Sequence, residues 1–450
     1  MGQNRPKFQQ CPQRFPWDFV AVPDQGDHNV LRTHVKAFCN TVQKYGLELP
    51  NVETKGQLKV ENDRRATVEA VLANFSRQRP KPAILLVILT SDEAKSNLYH
   101  HIKYLGDCIH GIQTVCMKAN ERGKFYPMIN DPRSLANDQY CTNVALKINL
   151  KLGGRNHAVE SRSLLQLKPA QTMIVGMDVT HPGGLKDENA TSIASMVASK
   201  DGLLQIWPAI VKHNRVGGQE LIDHLEEMMV SRLQVWHSTN GGKLPDRIII
   251  YRDGVSEGQY GLVLQSELPK LEAACAKIYR NGKVPPISLV IVGKRHHTRF
   301  FPADTTDRSV VDTKTGNPKG GTVVDSGITE PRLWDFYLQS HTAIKGTAKP
   351  AHYVVLHDQI FRETAKAINQ NAADLLQDFT NALCYTFGRT TRPVSICAPA
   401  YYADMACTRA RLHEKAWVES HPNANFPQNQ LDRDAIITPN GTVVNTMYYI

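Results

Sequence analysis

Thr172-Met173-Ile174-Val175-Gly176-Met177-Asp178 is an apolar run that closes on a carboxylate, the pattern of a strand buried on both faces with a functional group at its end. Working downstream, Thr191–Ala198 and Leu203–Ile210 read as two more strands, linked through Pro182-Gly183-Gly184 and Asp201-Gly202 as an antiparallel meander. A helix follows, because Ile222, Leu225, Met229, Leu233 and Trp236 fall on one stripe. Arg247–Tyr251 is then a further strand, running into Arg252-Asp253-Gly254. Three antiparallel strands, a crossover helix and a fourth strand is the order of an RNase H-like core, in which the fourth strand pairs parallel to the first. Thr305–Gly321, polar and punctuated by Gly and Pro, reads as a surface loop.

Upstream the rhythm differs. Phe19–Val22, helical patterns around 30–45 and 65–76, and the apolar run Ala83–Leu89 alternate as in an open parallel α/β sheet. After the polar loop Thr90–Ser96 comes a helix to about Cys108, a strand near Ile112–Met117, and a helix from about Ser134 to Leu152 stopped by Gly153-Gly154. The polar stretch Arg155–Ala170 separates the halves, so the expected domains are 1–168 and 169–450, an α/β chain throughout.

The 450 residues suffice for more than one packed core, and Lys plus Arg exceed Asp plus Glu by 53 to 43, a net +10 that favours an anionic partner, nucleic acid first. The longest apolar run, Ala83–Leu89, is far below the roughly 20 residues that cross a bilayer, so no membrane partner is expected. The N-terminus carries no apolar signal core, which points to a cytoplasmic protein. Nine cysteines without a CxxC pair argue against a disulfide framework and a thiolate zinc site, and the absence of HExxH argues against a zinc hydrolase.

Asp178 and Asp253 both follow directly on apolar strands. If those strands are parallel neighbours, two carboxylates emerge side by side and require a cation between them. Oxygen ligands without Cys or His select Mg²⁺ or Mn²⁺, and paired ions suit in-line attack on a phosphodiester. Spacing alone equally allows two aspartates that merely cap turns.

The words around them are more specific. Val175-Gly176-Met177-Asp178-Val179-Thr180-His181-Pro182 and Tyr251-Arg252-Asp253-Gly254-Val255-Ser256-Glu257-Gly258-Gln259 resemble the strand-end motifs of the PIWI domain of eukaryotic Argonaute proteins. Lys294-Arg295-His296-His297-Thr298-Arg299-Phe300-Phe301 and Pro399-Ala400-Tyr401-Tyr402-Ala403-Asp404 match two further Argonaute segments in the right order, and Leu146–Gly154 resembles the guide-end pocket of the MID domain. The resemblance implies a Rossmann-like MID domain followed by an RNase H-like PIWI domain. It also implies a fragment, since nothing ahead of residue 15 resembles the N-terminal and PAZ domains of the family.

Carried over residue by residue, the resemblance assigns Asp178, Glu220, Asp253 and Asp404 to a catalytic tetrad, with Asp178, Asp253 and Asp404 holding two Mg²⁺ or Mn²⁺ ions and Glu220 as a mobile finger. The fourth position is Asp here where many animal relatives carry His. Tyr99, Lys103, Gln113, Lys147, Lys151, Arg409 and the carboxylate of Ile450 would surround the guide 5′-phosphate, with Thr90–Asn97 facing the first base. Lys294, Arg295, His297, Arg389, Ser395 and Tyr401 would hold the guide backbone. Without the resemblance, the i,i+4 pair Lys147 and Lys151 reads more readily as a solvated lysine pair than as an anion site.

The implied activity is small-RNA-guided silencing: capture of a guide small RNA by its 5′-monophosphate and metal-dependent cleavage of complementary target RNA, alongside silencing-complex proteins that the sequence does not identify. A guide-binding platform without cleavage and an unguided RNase H-like nuclease are the alternatives. Because Glu220 follows Gly217-Gly218 and would add a carboxylate to an acidic cluster, it is expected to lie withdrawn on a mobile loop when no guide is bound.

Overall fold

The computed structural model describes residues 7–12, 15–22, 28–49, 64–89, 98–118, 135–182, 191–215, 217–282 and 284–450. The loop Thr90–Asn97 and the Gly183-Gly184 turn lie outside the described residues. The chain packs into two compact units, Met1–His157 with Arg409–Ile450, and Ala158–Thr408. This differs from the expected division at 168/169: the C-terminal segment closes on the first unit, and the helix Ala398–Ser420 runs unbroken through residue 408. Apolar anchors along that segment explain the return, since Ala416 and Trp417 join the core of the first unit.

The first unit is built on strands β1 (Trp17–Val22), β2 (Ile84–Leu89) and β3 (Gln113–Lys118), ordered β1-β2-β3 and all parallel. The alternation of side chains across β2 explains its continuous apolar sequence. Ile84, Leu86 and Ile88 pack with Phe38 and Val144, from helices α1 (His28–Gln43) and α4 (Leu135–Lys151). Leu85, Val87 and Leu89 pack into a second cluster with Leu72 and Ile102, from α2 (Arg64–Arg77) and α3 (Leu98–Tyr104). Helices therefore cover both faces, the Rossmann-like arrangement. Downstream of α3 the chain widens into a π-helical turn, Leu105–His110, closed by Gly111 in the left-handed region at φ 58°.

The second unit is an eight-stranded mixed sheet. Its strands are β4 (Thr172–Thr180), β5 (Ile193–Ala198), β6 (Ala209–His213), β7 (Arg247–Asp253), β8 (Ile287–Gly293), β9 (Thr322–Val324), β10 (Trp334–Gln339) and β11 (Ala351–Asp358). The order is β6-β5-β4-β7-β8-β11-β10-β9, with β4, β7 and β8 parallel and the remaining neighbours antiparallel. The crossover helix α5 (Leu225–Thr239) lays Leu225, Met229, Leu233 and Trp236 into the core formed by Met173, Val175, Ile248 and Ile250. This is the RNase H-like order expected from the spacing. The strand expected at Leu203–Ile210 begins later, at Ala209. Leu204 takes φ 53°, Trp207 Nε1 donates to its carbonyl over 3.0 Å, and Pro208 has no N–H for a ladder. No helix among the described residues is long and apolar enough to cross a membrane.

Candidate active site and nucleic-acid interface

In the second unit, the β4–β7 register pairs Met177 with Arg252, and one step further along that register sets Asp178 beside Asp253. Both are nearly sequestered from solvent, at 7% and 2% exposure. The third carboxylate arrives on helix α6, Ala398–Ser420. Its seat depends on Gly176: a Cβ there would lie 2.0 Å from the carbonyl oxygen of Pro399. Ser195 Oγ donates to the Ala403 carbonyl over 2.7 Å, and Cys407 Sγ points to the carbonyls of Asp178 and Ile193, both at 3.4 Å. These contacts fix Asp404 over the ends of β4 and β7.

Burial, followed by the charges of Asp253 and Asp404, raises the Asp178 carboxyl well above the usual carboxylate range. Burial also raises Asp253, although Lys294 pulls in the other direction. Lys294, expected on the guide backbone, instead reaches into this cluster, with Nζ 2.6 Å from Asp253 Oδ2 and 3.6 Å from Asp404 Oδ2.

Glu220 corrects the expectation of a withdrawn finger. Its side chain is 12% exposed, Oε1 accepts from Arg252 Nη1 at 3.1 Å, and Oε2 lies 3.0 Å from His181 Nε2. A Cβ on Gly254, whose φ is 89°, would meet Glu220 Oε1 at 3.0 Å and Asp178 Oδ1 at 3.5 Å, so Glu220 and Asp178 face the same point beside Gly254. The physical reason is Arg252, a fully buried guanidinium that sequence reading did not single out. Its Nε and Nη2 meet Glu267 Oε2 and Oε1 at 3.1 and 3.2 Å, and Nη2 also donates to the Glu220 carbonyl. A buried cation so placed offsets the repulsion that was expected to keep Glu220 away. The available signal was a charged residue inside an otherwise apolar strand, within Tyr251-Arg252-Asp253-Gly254.

The donor set fits a hard divalent cation: three carboxylates and no Cys or His, two of them, Asp178 and Asp253, buried and raised in pKa, with an ammonium drawn in beside them. Among the described residues no group of three His, Cys, Asp or Glu side chains is arranged to hold a metal ion. The carboxylates are instead bridged by Lys294.

The second constellation lies in the first unit. Lys103, 2% exposed, donates from Nζ to the Thr114 carbonyl and Oγ1 at 2.7 and 3.0 Å, with Tyr99's ring centroid 5.6 Å away. Lys151, also 2% exposed, reaches Gln113 Oε1 at 3.4 Å and the Tyr448 carbonyl. Arg409 Nη1 donates to that same carbonyl at 2.8 Å and to Asp107 Oδ2 at 2.6 Å. His413 Nε2 lies 3.1 Å from the same Asp107 oxygen. Burial, then the charges of Arg409, Lys103 and Lys147, depress Lys151 well below the usual lysine range. Asp107 is opposed by burial, yet Arg409 and His413 hold it below the carboxylate range. Lys147 is half-buried on α4, and Ile450 is buried at the chain end. Asp107, His413 and Thr446, which accepts from Gln113 Nε2 at 2.5 Å, were not foreseen.

The remaining guide-backbone candidates do not form one cluster. Arg295 and His297 are exposed beyond β8, and Arg389 is half-buried with Nη1 3.5 Å from Met405 Sδ. Ser395 and Tyr401 line a cavity of about 920 Å³ that also carries Lys345, Lys349 and Arg392.

A mixed sheet with carboxylates at adjacent parallel strand ends, preceded by a Rossmann-like unit, defines an RNase H-like protein of the Argonaute MID–PIWI architecture. Residues 84–415 match the Piwi domain family, and the chain belongs to that family. It is 41% identical over 409 residues to protein argonaute 18 of Oryza sativa subsp. japonica, covering 88% of this chain and 35% of that relative, so it spans about a third of the relative's length. Among solved structures, it is similar to the C-terminal lobe of a budding yeast Argonaute, with TM-score 0.81, 29% identity and coverage of 99% of this chain and 87% of that one. It is also similar to Kluyveromyces polysporus Argonaute with a guide RNA, with TM-score 0.80, 28% identity and coverage of 99% and 49%.

Proposed function

We propose that this chain is the guide-gripping and target-cleaving part of a small-RNA-guided silencing effector, working in the cytoplasm. The observation that carries the reading is the buried cation cluster of the first unit. Lys103 and Lys151 are almost fully enclosed and make no ion pair with a carboxylate among the described residues, and Lys151 is depressed by burial and then by the charges of Arg409, Lys103 and Lys147, which outweigh that of Asp107. Enclosed cations in mutual repulsion call for an anion, and the 5′-monophosphate of a guide RNA, also the group suggested by the family resemblance, meets that need. Tyr99 at the rim offers a ring on which a base stacks. The cavity beside Ser395 and Tyr401, and the exposed Arg295 and His297, are suited to the phosphates that follow.

The second unit supplies the hydrolytic half of the proposal. Asp178, Asp253 and Asp404 would hold two Mg²⁺ or Mn²⁺, which when bound lower the pKa of an attacking water and stabilise charge on the scissile phosphate. Glu220, tethered by Arg252 and His181, orients groups on the open side of the cluster without having to be ordered first. Target sequence is read by base pairing with the guide, so the protein contacts backbone and shape. A second reading, guide binding without cleavage, is favoured by one observation: Lys294 bridges two of the three carboxylates.

Incubating the full-length protein with a 5′-phosphorylated guide, a complementary RNA and Mg²⁺ tests the proposal. One cut at a fixed distance from the guide's 5′ end is the expected product. Stable guide capture without a cut selects the second reading, and equal binding of 5′-phosphate and 5′-hydroxyl guides overturns both.

A further inference from the structure

We propose that Lys294 is a tethered counter-ion of the acidic cluster, occupying the place of a divalent cation in the unloaded protein and leaving it when a cation enters. The inference rests on the reading of the Asp178–Asp253–Asp404 cluster as a metal site. Its basis is the position of one ammonium relative to three carboxylates. Lys294 follows Gly293, the last residue of β8, and β8 is the parallel neighbour of β7, which carries Asp253. The lysine thus emerges from the same sheet edge as the carboxylates. Its Nζ makes a 2.6 Å ion pair with Asp253 Oδ2 and lies 3.6 Å from Asp404 Oδ2, bridging an acid that is 3% exposed and one that is 43% exposed.

Two buried carboxylates and a third nearby cannot all be ionised without a cation among them. A side-chain ammonium meets that need at almost no entropic cost, because the chain already holds it there. The same charge raises the threshold for a divalent ion: the ion must displace the ammonium or share the carboxylates with it at close range. With the amine released, Lys294 is 34% exposed along its side chain already and needs only a rotamer change to face solvent or a nucleic-acid phosphate. One residue would then serve two states: counter-ion to the unloaded acids, and phosphate ligand once metal and RNA are present.

Mn²⁺ binding, followed by electron paramagnetic resonance on the purified chain without RNA, tests this directly. Lys294→Met should bind Mn²⁺ about tenfold or more tightly than wild type, the scale expected for losing one close competing charge. Lys294→Arg should stay near wild type. A readout on the unmutated protein guards against misfolded variants: saturating Mn²⁺ should increase acetylation of Lys294 by an amine-reactive reagent, measured by mass spectrometry, relative to an exposed control such as Lys319. Unchanged or weaker Mn²⁺ binding by Lys294→Met, or unchanged Lys294 labelling, overturns the counter-ion role. Retention of Mn²⁺ binding by Asp253→Asn in both backgrounds overturns the metal-site reading itself, and the counter-ion role with it.

Discussion

The carbonyl oxygen of Pro399 occupies the space that a side chain on residue 176 would need: a Cβ on Gly176 would stand 2.0 Å from it. The strand that carries Asp178 and the helix that carries Asp404 are therefore in backbone contact two residues from one carboxylate and five from the other. A single hydrogen in place of a methyl group sets the separation of two acids from distant parts of the chain.

Gly176→Ala should accordingly separate strand and helix. Backbone atoms cannot yield as a flexible side chain would, so a loss at or above the upper end of the about 1–3 kcal/mol typical of overpacking is expected. Urea unfolding gives the stability, and the full-length variant should cleave poorly even where it remains folded. A variant as stable and as active as wild type would show that the contact has no bearing on the acids.

Guide capture should depend on the 5′ phosphate. RNA carrying it should bind far more tightly than 5′-hydroxyl RNA, and the double charge reversal Lys147→Glu with Lys151→Glu should erase the difference. Binding should weaken with salt at a log–log slope of about −0.7 per phosphate neutralised. Fluorescence anisotropy at several salt concentrations measures both.

The depressed amine of Lys151 gives this binding a pH dependence of known sign. Its value in the free protein lies below the ordinary lysine value, and a bound phosphate favours the charged form. Affinity should be highest below the free value, fall as pH rises through it, and be accompanied by proton uptake. Calorimetry in buffers of different ionisation enthalpy reads the uptake. Lys151→Met should bind more weakly and lose that dependence.

At the acidic cluster, Asp178→Ala or Asp253→Ala should abolish target cleavage by the full-length protein while guide affinity stays close to wild type. The two sets of residues belong to different compact units. Ca²⁺ in place of Mg²⁺ should support guide binding and little cleavage, because its looser coordination does not impose the octahedral geometry. Gel assays of cleavage with parallel binding curves separate the two effects.

Arg252 should prove costly to remove. Arg252→Met leaves Glu267 buried without its partner, a change of about 3–5 kcal/mol for a broken buried pair. It also frees Glu220, so cleavage should fall further than stability alone explains. Arg252→Met with Glu267→Gln should recover much of the stability and none of the cleavage.

What could be read from the sequence divides along physical lines. Strand β2 and the carboxylates near the C-terminal ends of β4 and β7 were legible because buried parallel strands leave long apolar runs, and a charge at the end of such a run stands out. The start of β6 was misplaced because Leu203–Ile210 has an apolar composition, and composition does not register a positive φ at Leu204. Glu220 was placed on the wrong side of its equilibrium for a different reason. The glycines before it and the acids ahead of it are visible in the sequence, whereas its partner Arg252 acts only once β7 is laid beside the turn. Asp107 and His413 are separated by most of the chain, and no local pattern links them.

Because residues 409–450 complete the unit begun by residues 1–157, synthesis order has consequences for folding. On the ribosome the three-stranded sheet is made ahead of the eight-stranded sheet, and Arg409, His413 and the Tyr448 carbonyl only after both. The eight-stranded unit is thus an insertion within the three-stranded one. During that interval Asp107 lacks its guanidinium and Lys151 lacks the carbonyl that accepts its proton. A released chain ending ahead of residue 409 would therefore carry Asp178, Asp253 and Asp404 but lack the guanidinium and carbonyl that Asp107 and Lys151 need.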